Sequence, residues 1–110
     1  MRVLVTGAGG FIGRAVVGAL AKRGHDVRAM VRPSANLEQA HWPNSVDVFS
    51  VDLRSHPNLC AAFDGIDAVV HLAAAMTGRD DVQFAGTVGT TERFLDAMRH
   101  SGTRRLVLAS

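Results

Sequence analysis

The sequence predicts an α/β fold, a doubly wound parallel sheet of about five strands in the order 3-2-1-4-5. Three observations carry that expectation. Short apolar runs alternate with segments of helical period along the chain. The runs are apolar on successive residues, the pattern of strands buried on both faces of a sheet. A glycine-rich turn, Thr6-Gly7-Ala8-Gly9-Gly10-Phe11-Ile12-Gly13, joins the first run to the first helical segment. Right-handed crossovers then leave few arrangements, of which 3-2-1-4-5 is the natural one.

Val3-Leu4-Val5 reads as the first strand and Phe11 to Arg23 as the first helix, with Ile12, Ala15, Val16, Ala19 and Leu20 facing inward at spacings of three and four. Lys22 and Arg23 suit its C-terminal dipole, and Gly24 suits the position just past its end. Gly18, which costs roughly 1 kcal/mol against alanine inside a helix, suggests close packing there. Val27 to Val31 forms a second strand, ended by Arg32-Pro33. Ser34 to Asn44 reads equally as a short helix or an ordered loop, with Trp42 beside Pro43 as a packing anchor, before a third strand from Val46 to Val51. Pro57 opens a short helix carrying Leu59, Cys60 and Phe63 inward, and Gly65 follows its end. Asp67 to Ala73 supplies the fourth strand. A longer helix from about Asp81 to His100 places Phe84, Val88, Thr91, Leu95 and Met98 on one face and stops near Gly102. Asp80-Asp81 favours that helix start rather than a catalytic carboxylate pair. Arg105 to Ala109 makes the fifth strand.

With 110 residues, 47% hydrophobic and 20% charged, the chain suits one globular domain over residues 1–110 and is too apolar to be disordered. No apolar run approaches the roughly 20 residues that cross a bilayer. The N-terminus reaches Gly7 before a signal-peptide core forms, and the one cysteine, Cys60, excludes an internal disulfide and favours a cytoplasmic setting. The formal net charge is only +2, and the arginines are scattered from Arg2 to Arg105 without aromatic interleaving, which argues against nucleic acid as a partner. The five histidines share no metal-ligand spacing. There is no tyrosine, and Lys22 is the only lysine, so no Tyr–Lys acid/base pair exists within these residues.

The glycine turn carries the chemistry. A helix N-terminus presents unpaired N–H groups and a partial positive charge, which attract a pyrophosphate. Glycine permits the sharp turn, the close approach of a phosphate and tight helix–sheet packing. The spacing is G-x-x-G-x-x-G through Gly7, Gly10 and Gly13, since Ile12 occupies the position where G-x-G-x-x-G needs glycine. A P-loop is excluded because no Gly-Lys-Ser/Thr follows. About 18 residues beyond Gly13, where a carboxylate would bind the adenosine ribose of NAD, stand Val31 and Arg32. A guanidinium in place of an anion favours a 2′-phosphate, hence NADP over NAD, with Arg14 placed to assist.

Thr6-Gly7-Ala8-Gly9-Gly10-Phe11-Ile12-Gly13, Val51-Asp52-Leu53, His71-Leu72-Ala73-Ala74 and Gly86-Thr87 in this order resemble the extended branch of the short-chain dehydrogenase/reductase superfamily, the NAD-dependent epimerase/dehydratase family, across the whole chain. The resemblance implies a Rossmann-type sheet with NADP or NAD as cofactor, bound by Thr6, Gly7, Gly9, Gly10, Phe11, Ile12, Gly13, Arg32, Asp52, Leu53, Leu72, Ala73 and Ala74. Asp52 would accept from the adenine amino group, the Leu53 backbone would contact the ring, and the small alanines would leave room for ribose and pyrophosphate. His71 reads as a buried, satisfied histidine rather than a catalytic one. Met76-Thr77-Gly78-Arg79 is either a loop over the cofactor or a connector. Two positions that the family commonly fills with asparagine hold Gln83 and Gly89. The connection from Ala74 to the long helix is shorter than in sugar-nucleotide epimerases, which keeps reductases of hydroxyl or carbonyl compounds in contention.

In the family the catalytic serine or threonine follows the fifth strand and a Tyr-x-x-x-Lys motif lies farther on, with tyrosine as acid/base. Neither lies within these residues, and Ser110 is too early for the role. No catalytic residue is therefore assigned, and the chain reads as the N-terminal part of a longer enzyme, or a truncated gene product, inactive by itself. The intact parent is expected to transfer hydride to or from a small carbonyl, hydroxyl or sugar-type substrate, and to form a homodimer through the long helix. The alternative is a non-catalytic NADP-binding redox-sensing regulator of the same fold. An unpaired fifth-strand edge would favour aggregation of the isolated piece.

Overall fold

A computed structural model of the chain describes residues 1–33, 35–38, 40–51, 59–72, 95–103 and 105–108. Five parallel strands, β1 (Arg2–Thr6), β2 (Asp26–Val31), β3 (Asp47–Ser50), β4 (Ala68–His71) and β5 (Arg105–Leu108), form one sheet in the order β3-β2-β1-β4-β5. Among the described residues β3 and β5 are its edges. The α-helix α1 (Phe11–Lys22) connects β1 to β2, and a 3₁₀ helix (Cys60–Phe63) precedes β4. Residues 95–101 are helical and lead through Gly102, at φ +82°, toward β5.

The continuous apolar strands β1 and β2 bury both faces. Val3 and Val5 of β1, with Val27, Ala29 and Val31 of β2, pack against Val17 of α1. Leu4, Met30 and Val69 point the other way, onto Leu59, Ala62 and Phe63 around the 3₁₀ helix and Met98 of the helical segment 95–101. Because successive strand residues face opposite sides, one uninterrupted run feeds both cores.

Three side-chain assignments are corrected. The inward stripe of α1 holds buried Gly13 and Val17, flanked by Val16, Leu20 and Ala21, whereas Ile12, Ala15 and Ala19 are exposed. The cause is a backbone contact: a Cβ on Gly13 would lie 2.1 Å from the Gly7 carbonyl oxygen, so α1 rotates to bring that glycine to the turn. Gly18 is not a close-packing site, since a Cβ there would meet nothing within 4 Å. Cys60 is exposed, and Ala62 is buried beside Leu59 and Phe63 instead.

That last correction follows from an arginine inside the fold. Arg28 of β2 is buried, and its Nη1 donates to the carbonyl oxygens of Ala61 at 3.0 Å and Ala62 at 2.9 Å. Its Nε donates to Asp47 Oδ2 of β3 at 2.9 Å. The guanidinium thereby anchors the 3₁₀ helix to the sheet and fixes which of its sides packs inward. Trp42 plays the anchoring part expected of it: its Nε1 donates to the Arg14 carbonyl at 3.1 Å and its ring packs on the α1-side core.

At the carboxyl end of the sheet, Thr6 and His71 are neighbours in the β1–β4 register, and Thr6 Oγ1 lies 2.7 Å from His71 Nδ1. Burial disfavours the charged imidazole and lowers the His71 pKa from 6.5 to about 4.

Three outcomes follow for stability. Replacing Arg28 by leucine strands the Ala61 and Ala62 carbonyls and should cost about 2–4 kcal/mol in urea denaturation. Asp47→Asn should cost under about 1 kcal/mol, because that carboxylate is 53% exposed. For His71, the unfolded chain takes up the proton first as pH falls. The contribution of the neutral form is thus complete above about pH 6.5 and is lost between there and pH 4, by at most about 1.4 kcal/mol per pH unit. Denaturation midpoints measured across this range should show a shallower acid decline in His71→Asn than in the parent.

Candidate functional site

The strand order creates a crevice at the carboxyl ends of β1 and β4. From β1 the chain turns into α1 on one face and returns as β2, while β4, entered from the 3₁₀ helix on the opposite face, flanks the other side of β1. Such a divergence is where open α/β sheets bind ligands, because the outgoing loops part and leave a gap.

The turn at this place is built from backbone. Gly7 has φ +66°, in the left-handed region, and its carbonyl accepts from Gly10 N–H at 3.2 Å. Ala8, fully buried, donates its N–H to the Met30 carbonyl at 3.2 Å, which fastens the turn to β2. Gly13 closes the other side, its Cα hydrogens against the Gly7–Ala8 backbone. Gly9 abuts the end of β2: a Cβ there would be 3.0 Å from that of Ala35 and 3.8 Å from that of Val31. The turn is therefore held on three sides.

Gly10 is different. It is exposed, has φ −76°, and a Cβ there would find only the Gly7 oxygen, at 3.5 Å. Neither backbone conformation nor internal packing requires glycine at this position. A side chain would instead project into the space at the helix start, so the absent Cβ leaves the approach to the helix open.

Gly10 is also the N-cap of α1, which has no side-chain cap and no acidic residue in its first turn. The N–H groups of Phe11, Ile12 and Gly13 precede the first intrahelical bond, from Arg14 N–H to the Gly10 carbonyl at 2.9 Å, and have no acceptor among the described residues. The first turn of α1 thus holds no carboxylate of its own to balance the positive end of the helix dipole. Phe11 and Ile12 are 84% and 65% exposed, so their side chains stand clear of both cores while their amides sit in the first turn. The arrangement can hold an anion, and its donor set suits a pyrophosphate.

Other residues singled out from the sequence distribute around this centre. Arg32 is exposed and follows Val31 at the end of β2, on the Gly9 side of the turn. Arg14 is half-buried in the first turns of α1. Leu72 is half-buried beyond β4, on the other side of the crevice, where its N–H donates to Thr6 Oγ1 at 3.0 Å. Thr6 is fully buried and directs its hydroxyl toward β4, so its side chain links strands rather than facing the opening. Asp52, Leu53, Ala73 and Ala74 lie outside the described residues, as do Met76 to Arg79 and Gly86-Thr87. Two contributors were not identified from the sequence: Ala8, whose smallness between glycines was the available signal, and Ala35, for which none existed. Among the described residues there is no group of three His, Cys, Asp or Glu side chains able to hold a metal ion, and no helix is long and apolar enough to cross a membrane.

Comparisons with known proteins agree with this geometry. A family described as NAD(P)H-binding matches residues 7–110. The 3 beta-hydroxysteroid dehydrogenase/Delta 5→4-isomerase of Mycobacterium tuberculosis is 38% identical over 118 residues, covering 99% of this chain and 31% of its own. A short-chain dehydrogenase/reductase superfamily protein of Agrobacterium tumefaciens, solved with bound NAD, superposes with a TM-score of 0.78 at 36% identity over 100% of this chain and 32% of its own. The UDP-glucose 4-epimerase of Thermus thermophilus in complex with NAD gives a TM-score of 0.83 at 34% identity, over 100% of this chain and 37% of its own. The chain spans between 12% and 34% of the length of the curated relatives it matches. With the glycine turn, the 3-2-1-4-5 sheet and the family match in agreement, the chain belongs to the NAD(P)H-binding family, within the extended short-chain dehydrogenase/reductase superfamily.

Proposed function

We propose that this chain forms the dinucleotide site of an enzyme that transfers hydride to or from a small carbonyl, hydroxyl or sugar-type substrate, with NADP preferred over NAD. The observation that carries the cofactor site is the open, uncapped start of α1, with an exposed glycine at its N-cap. Gly7, Gly9 and Gly10 shape the turn, and the amides of Phe11, Ile12 and Gly13 hold the pyrophosphate. Thr6 supports the turn from β1, Leu72 stands on the opposite side, and Ala73 and Ala74 are proposed as further cofactor contacts. Asp52 and Leu53 take the adenine. Arg32 binds the 2′-phosphate through paired charge-assisted hydrogen bonds, with Arg14 contributing from the helix start.

When bound, the nicotinamide supplies the hydride acceptor or donor; this chain's residues bind and orient the dinucleotide. The sequence contains no tyrosine, so an acid/base tyrosine is not drawn from these residues. The steroid dehydrogenase and the epimerase are enzymes by name, which supports a catalytic parent over a redox-sensing regulator. Their different substrates leave the class at hydroxyl, carbonyl or sugar-type compounds. Pairing of two parents through the long helix expected from Asp81 to His100 belongs to the same proposal.

Two substitutions test it. Gly10→Ala should leave thermal stability within about 1 kcal/mol of the parent, since its φ suits alanine. It should weaken dinucleotide binding roughly tenfold or more by filling the approach to the pyrophosphate; unchanged affinity would place the cofactor elsewhere. Arg32→Glu should weaken NADPH about tenfold or more in fluorescence titration and leave NADH equal or tighter, by opposing the extra phosphate with a like charge. Parallel loss for both cofactors, or for neither, would remove Arg32 from the 2′-phosphate site.

A further inference from the structure

We propose that His71 is a positioning residue for the dinucleotide crevice, holding the ends of β1 and β4 together through the Thr6 hydroxyl; this rests on the cofactor site proposed above.

Thr6 and His71 form the last register pair of the β1–β4 ladder. One residue farther on, Gly7 turns into the loop toward α1, and Leu72 stands on the other side of the gap. The Thr6 hydroxyl bridges that parting: it accepts from Leu72 N–H at 3.0 Å and lies 2.7 Å from His71 Nδ1. Both side chains are almost wholly buried, Thr6 at 0% and His71 at 3% exposure. They lie on the face that also buries Leu4, Val69 and Met30.

An apolar pair would fill this face without the penalty of desolvating an imidazole and a hydroxyl. The polar pair sits instead at the place where the two strands separate into opposite sides of the crevice. The Thr6 hydroxyl hydrogen can turn about the Cβ–Oγ1 bond until a hydrogen-bond partner holds it. With His71 Nδ1 on one side and the Leu72 amide on the other, Oγ1 ties the end of β1 to the end of β4 at two points, next to where Gly7 and Leu72 part. The imidazole thereby sets the width of the opening that the pyrophosphate and ribose would enter, without touching either.

The test compares His71→Leu with His71→Asn in the purified protein. Leucine suits the apolar face but removes the bond to the buried Thr6 hydroxyl, so the gain in apolar burial and the lost partner oppose each other and the melting temperature should change little. It should nonetheless bind NADPH about tenfold more weakly, as a displaced support does to a positioned ligand, and its Leu72 amide should exchange faster with deuterium. Asparagine offers a polar atom near the Nδ1 position and should restore affinity to within about threefold. Parent affinity in His71→Leu, with or without a change in melting temperature, would overturn the positioning role while leaving the cofactor site standing. A parent protein that binds neither NADPH nor NADH would defeat the cofactor site, and this proposal with it. Should His71→Leu not fold, His71→Asn decides: slow Leu72 exchange with retained binding supports the bridge, and fast exchange with parent affinity refutes it.

Discussion

The contact between Gly13 and the backbone of Gly7 and Ala8 is the constraint on which the site depends. A Cβ at position 13 would fall far inside contact distance of a carbonyl oxygen, so the helix and the turn can approach this closely only because both are bare there. The approach sets the rotation of α1, which puts Val17 in the core and Phe11 and Ile12 outside it. The same rotation leaves the first-turn amides at the uncapped start of α1, just after the turn that leaves β1. One packing contact thus decides a core and the direction of an electrostatic field together.

The remaining buried polar groups secure what that contact has placed. Arg28 holds the 3₁₀ helix on one face of the sheet, and Trp42 fastens the segment after β2 onto α1 on the other. Ala8 ties the glycine turn to β2, and Thr6 ties β1 to Leu72. Each of these bonds joins elements separated by many residues and ends on a backbone group, the least costly way to satisfy a buried donor or acceptor. The crevice therefore has fixed sides, which a site for a large, flexible dinucleotide needs if binding is not to be spent on ordering the protein.

Membership of the NAD(P)H-binding family gives this frame its ligand class, and the differing names of the relatives show how little the frame says about substrate. The chain accounts for about a third of the reported relatives' length, 31%, 32% and 37% in turn. Chemistry on a fold of this kind resides in groups added around the cofactor, so one sheet and one turn serve dehydrogenases and epimerases alike. Within this chain Arg32 stands exposed just past the end of β2, where such folds can carry a carboxylate.

By itself the sequence determined the strand order, the turn between β1 and α1 and the family, because these follow from local patterns: apolar runs, glycine at fixed intervals, and polar residues between them. The number and type of elements among the described residues were legible for the same reason, with strand boundaries displaced by a residue or two and the short helix expected from Pro57 found as a 3₁₀ helix over Cys60–Phe63. Only the tertiary structure decided the rotation of α1. Two overlapping stripes are apolar, and glycine carries no hydropathy signal strong enough to mark the buried one. It alone placed Arg28 inside, since a charged residue within a strand reads as surface until the carbonyls it satisfies, more than 30 residues away, are brought to it. It alone joined Thr6 to His71 and Leu72, separated by 65 and 66 residues. Periodicity reports neighbours along the chain, and these partners become neighbours only when the sheet forms.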